Sequence, residues 1–153
     1  MAEDTQPSQR SQVIALSVID VDILFSVGAM ADESEFSFDV EITRPEPVEE
    51  GIFAFQANLQ VIKRKEGETS EAAGFKAKYW CGFQLEAEDD ATEIASQFAS
   101  TTIWAAFSNL FAVVKNQMGV YFPQLPPAPG KIKAIDQPTD YSGKLDDGGL
   151  LDD

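Results

Sequence analysis

Pro123, Pro126, Pro127 and Pro129 crowd one short stretch of this chain. Each fixes its own φ and gives up a backbone donor, so no helix and no interior strand can pass through them. Whatever precedes them must end first, and the stretch itself must run extended. What precedes is apolar at helical spacing: Ile103, Phe107, Leu110, Phe111, Val114 and Met118. Gly119 then supplies the residue type that closes a helix in the left-handed conformation. A long helix ending at Gly119 and an extended apolar loop, Val120-Tyr121-Phe122-Pro123-Gln124-Leu125, are therefore required. Such a loop beside a helix is a wall against which another extended chain can lie.

Upstream, four segments read as strands. The first, 18–27, alternates weakly. The second, 35–44, alternates cleanly, with Phe36, Phe38, Val40 and Ile42 on one side and Ser37, Asp39, Glu41 and Thr43 on the other. The third, 52–64, carries Phe53, Phe55, Ala57, Leu59 and Val61 on one face. The fourth, 74–86, points Phe75, Ala77, Tyr79, Cys81, Phe83 and Leu85 inward. The joining segments 28–34, 45–51 and 65–73 carry turn chemistry and are too short for helical crossovers. The expectation is an α+β fold: a four-stranded antiparallel meander, followed by a long C-terminal helix packed on one face.

Asp90, with Glu93 three residues on, predicts the helix start. Ile94 and Phe98 lie roughly opposite the Ile103, Phe107, Phe111 face, so a break is expected near residues 100–102. Beside the apolar stripe runs a line of Ala105, Asn109, Ala112 and Asn116, small and amide residues that permit close contact with another helix. Residues 1–11 are polar and expected to be disordered, 12–130 form the domain, and 131–153 form an acidic tail without periodicity.

The chain has no histidine, which removes the commonest general base and metal ligand together. Its one cysteine, Cys81, sits on an inward strand phase and reads as structural; a single cysteine also suits a reducing cytoplasm. No phosphate-binding glycine loop occurs. The tight carboxylate clusters, Asp20 with Asp22 and Asp89 with Asp90, lack a calcium-loop pattern. No catalytic residue, metal or cofactor is expected, so the chain reads as a non-enzyme. The formal charge is −15, and the first fifty residues hold twelve acids against Arg10 and Arg44. That field disfavours nucleic acid and anionic membranes as partners. No start resembles a signal peptide, and no run reaches membrane-span length.

What is left over is apolar surface. Eleven phenylalanines and two tryptophans exceed what one sheet-and-helix core easily holds. Trp80 falls on the outward phase of its strand and Trp104 beside the main helix stripe. Large rings left at edges are one way to grip unfolded chains without reading their sequence.

Gly119, Phe122, Pro123, Gln124, Leu125, Ala128 and Pro129, after a long helix, resemble the end of the SecB family of protein-export chaperones. Val21-Asp22-Ile23-Leu24-Phe25 resembles that family's first strand. The resemblance covers roughly residues 13–130. It implies an ATP-independent holding chaperone in the cytoplasm, assembled as a dimer of dimers with the long helices between sheets. Ala105, Asn109, Ala112 and Asn116 would then be interface positions. Unfolded preproteins would lie in a groove near Phe25, Met30, Trp80, Trp104, Tyr121, Phe122, Leu125 and Pro126. The family docks on the SecA motor through acidic sheet residues, which makes Asp20 and Asp22 candidates. Ser26 and Lys78, however, stand where acids belong, and Ala105-Ala106-Phe107-Ser108-Asn109 replaces the family's Pro-Tyr-Ala-Arg-Glu. A further family helix after the Ala-Pro has no counterpart from Lys131 on. The alternative is a non-catalytic adaptor using the same groove for one dedicated partner, such as an antitoxin.

Overall fold

The computed structural model describes residues 11–25, 34–65, 71–86, 89–119 and 122–135. Its strands are β1 (Gln12–Phe25), β2 (Ser34–Thr43), β3 (Glu46–Glu49), β4 (Ile52–Lys65), β5 (Glu71–Gln84) and β6 (Lys133–Ile135). Helix α1 (Ala91–Phe98) runs through a π-helical stretch, Ala99–Ile103, into α2 (Trp104–Met118). The α+β class holds, with the helix packed on one face of the sheet. The strand order is β1-β5-β4-β2-β6, and β3 pairs with β4. Consecutive neighbours in a plain meander were the expectation; instead β1 lies beside β5, which is a Greek-key order. Period-two patterning fixes which way a side chain points and says nothing about which strand sits alongside. The expected turn 45–51 contains β3, which continues the line of β2 along β4 before Gly51 turns the chain at φ 78°. β6 falls in the segment expected to lack structure, and it pairs with β2 in parallel.

Inward residues are those the alternation indicates. Phe55, Ala57, Leu59 and Val61 of β4 and Phe75, Ala77, Tyr79, Cys81 and Phe83 of β5 are all buried. Central strand β5 carries both helical segments: Phe98 meets Phe83 at 5.6 Å, and Phe107 stacks on Phe75 at 5.5 Å. The expected break is a π-helical stretch. Its wider turn brings Ile103, Phe107 and Phe111 round to the same sheet that Ile94 and Phe98 already face. The hydroxyls of Ser100 and Thr101 donate to the Gln97 carbonyl at 3.1 and 2.7 Å, bonding back to the preceding turn where the helix widens. Asp90 caps the start, accepting from the backbone N–H of Thr92 and Glu93. Gly119 ends the helix at φ 72°.

Candidate functional site

At the β2 side, residues 122–135 form an extended strap. Phe122 is buried, its ring 5.2 Å edge-on to Phe111 and 5.9 Å from Phe36. The indole Nε1 of Trp104 donates to the carbonyl of Pro126 at 2.9 Å. A proline-rich segment offers acceptors and few donors, and a donor-only indole matches that supply. Leu125 and Ile132 pack against the core, and β6 then joins Glu41–Thr43 of β2. The Arg44 amide donates to the Ile135 carbonyl at 3.1 Å, and Lys133 pairs with Glu41 at 3.9 Å.

This geometry corrects two of the expected groove residues. Trp104 and Phe122 are buried, at 2% and 3% exposure, and serve the protomer's own core. Phe75, Phe107, Phe111, Phe122 and Phe36 form one chain of ring contacts that runs through the core. Leu125 and Pro126 remain half-buried on the strap. Trp80 is half-buried on the opposite face of the sheet, its ring lying over Gly82. It is therefore not brought together with the strap. Phe25 ends β1, three strands from Phe36 along the row Phe25, Ala73, Lys63, Phe36. The Phe25 side chain, Met30 and Tyr121 lie outside the described residues.

The opposite edge is β1. Ile14, Val18, Ile19, Val21, Ile23 and Leu24 are 38–50% exposed. Register with Tyr79, Ala77 and Phe75 places Val18, Val21 and Ile23 on the helix side of the sheet, while Asp20 and Asp22 sit opposite Lys78 and Lys76 on the other side. Among the described residues no strand pairs with the outer edge of β1. This apolar ledge was not read from the sequence. Its signal was the weakness of the alternation, since Val18, Ile19, Val21, Ile23 and Leu24 put apolar groups on both faces.

The outer side of α2 is also bare. Ala105, Asn109, Ala112 and Asn116 are all exposed, and Val113 beside them is 62% exposed. Lys115 is the one charged residue on α2, and its ammonium lies 5.7 Å from the Phe111 ring. An exposed helix face without charge is unusual in a chain of net charge −15.

The polar face of the sheet holds a cleft of 820 Å³. Across it run Asp20 and Asp22, then Lys76 and Lys78, then Asn58 and Gln60, then Asp39 and Glu41, with Lys131 and Lys133 at the far rim. The two acids singled out for motor docking thus face lysines in register. Cys81 is fully buried, and burial pushes its thiol up to about 12, so it is protonated at neutral pH.

No family model matches the chain, and no curated protein matches its sequence. Its fold matches a solved structure, the Mycobacterium tuberculosis Rv1957 SecB-like chaperone in complex with a ChAD peptide from the Rv1956 HigA1 antitoxin. Identity is 14% and the TM-score 0.50, over 78% of this chain and 91% of that chain. At that identity the likeness is one of fold, and the fold is SecB-like.

Proposed function

We propose that this protein is a holding chaperone, which keeps unfolded chains extended without nucleotide and hands them on, for translocation or to another acceptor. The observation that carries the reading is a SecB-like fold whose protomer leaves apolar surface uncovered on β1 and an uncharged face on α2. A lone protomer with a bare apolar edge strand is an aggregation hazard. Two unlike bare surfaces, an edge and a helix, fit two unlike self-contacts, as in a homotetramer built as a dimer of dimers in the cytoplasm. Clients lie along the strap and the adjoining β2, where Leu125, Pro126, Phe36 and Phe38 are all half-buried. Docking on an export motor through Asp20 and Asp22 is the weaker part of this reading, because Lys78 and Lys76 stand across from them.

The test is whether the purified protein, at micromolar concentration, stops several chemically unrelated proteins from aggregating as they are diluted from denaturant. Suppression of all of them supports holding. Suppression of none sinks it. Binding to a single client supports the second reading, an adaptor for one dedicated partner. The antitoxin peptide held by the structural neighbour favours that alternative.

A further inference from the structure

Beyond Phe122 the strap is lightly held. None of residues 124–135 is fully buried. The indole bond to Pro126, the short β6 ladder, the Arg44 amide bond and the Lys133–Glu41 pair are among its polar ties, and in the last the lysine is largely exposed while Glu41 is half-buried. An ion pair at 3.9 Å with one end in water contributes little. β6 also takes up only the last part of β2, opposite Glu41, Ile42 and Thr43. Among the described residues no strand pairs with the outer edge of 34–40.

That part of the edge, which lacks a strand partner among the described residues, has two chemically distinct sides. Phe36 and Phe38 face the helix side and are half-buried; Glu35 and Asp39 lie on the other side and are exposed, in line with Glu41. A strand added there would place alternate residues against aromatic rings and against carboxylates. The strap itself has this pattern. Lys131 and Lys133 line the cleft with Asp39 and Glu41, while Ile132 between them packs on the core.

We propose that the outer edge of β2 accepts an extended client segment in which apolar and basic residues alternate, and that β6 is a resident strand which such a segment displaces. The inference rests on the holding reading above, and it adds the chemistry of the client and the device that gates the site. A client strand reaching along all of Ser34–Thr43 forms a longer ladder than β6 does, and its apolar side covers Phe36 and Phe38. Phe122 stays seated, so the protomer does not unfold when the strap lifts.

The experiment titrates the full-length protein with a synthetic twelve-residue peptide alternating Lys and Val, and with one alternating Glu and Val. Three strap states are compared. Lys133→Pro removes a donor that faces β2, at an exposed residue, and loosens β6 without touching the core. Glu41→Cys with Lys133→Cys joins register partners and, once oxidised, locks β6 down; Cys81 is buried and does not compete. Affinity scales with the fraction of molecules whose edge is open, so the loosened form should bind the Lys–Val peptide about tenfold more tightly than wild type. The locked form should bind about tenfold more weakly until reduced, and the Glu–Val peptide should bind none of the three. Equal affinity across the strap states, or equal binding of both peptides, overturns the proposal. So does a locked form that suppresses aggregation as well as wild type, a result that leaves the holding function in place on another surface. Failure of wild type to suppress aggregation overturns the holding reading instead, independently of the peptide titration.

Discussion

β1 and β2 border the same sheet and carry apolar residues toward the same helix, yet one is bare and the other covered. On β2, Val40 and Ile42 are buried and Phe36 and Phe38 half-buried; on β1, Val18, Val21 and Ile23 stay 44–50% exposed. The cause is width. A helix with its side chains is about 10–12 Å across, while four strands at about 4.8 Å spacing span about 14 Å between their outer axes. α2 seats Phe107 and Phe111 on Phe75 of β5 and cannot span all four strands, so the flanks of the sheet need another cover. The strap supplies it at β2, anchored by Phe122, and nothing among the described residues supplies it at β1. The lesson is that an apolar strand face can be inward by period and still lack a lid.

If that contrast is right, the largest effect of substitution falls on the covered edge. Phe122→Ala should cost about 3–5 kcal/mol of folding stability, the usual range for a buried ring. Ile23→Ser on the bare edge should change protomer stability by less than about 1 kcal/mol, because its side chain is half in water already. Urea unfolding of each variant, at protein concentrations low enough to dissociate any oligomer, measures both. Similar losses from the two substitutions would break the comparison.

The bare edge should reveal itself in assembly. Val18→Asp with Ile23→Asp is expected to lower the sedimentation coefficient while the circular dichroism of the protomer stays intact. Ala112→Glu, on the uncharged side of α2, should break a different contact, so combining all three should yield protomers. A wild-type protein that sediments as a monomer throughout the micromolar range would mean that neither surface is a self-contact.

How much of this was legible beforehand depended on the range of the interaction. Local signals read well: Asp90 as cap, Gly119 as terminator, the inward sets of β4 and β5, and the helical irregularity before Ile103. Each is set by neighbours within a turn or by strand pleat. The position of β1 beside β5, the small β6 and the seat of Phe122 depend on contacts distant in sequence, which no period encodes. Trp104 illustrates the limit. Placed beside the helix stripe by its spacing, it reads as an exposed ring, but the π-helical stretch turns it into the core and a carbonyl from the strap meets its N–H. The bare β1 ledge was visible only as poor alternation, a weak signal by itself.

Trp104→Phe gives the smallest and most discriminating effect. The substitution keeps an aromatic ring in a buried site and deletes the one donor that reaches Pro126. Loss of the bond and the slight loss of volume should lower stability by about 1–2 kcal/mol, less than removal of Phe122 does. Trp80 is then the remaining tryptophan, so its emission reports the polar face of the sheet and should stay as in wild type. The strap, however, should lift more often, because its proline carbonyl gains by turning to water. Protease cleavage after Lys131 or Lys133 under native conditions should accordingly speed up, with cleavage elsewhere in the fold unchanged. Faster cleavage across the whole chain would mean that Trp104 holds the core together generally. In that case the covered edge is covered by global packing, and the two edges differ only in degree.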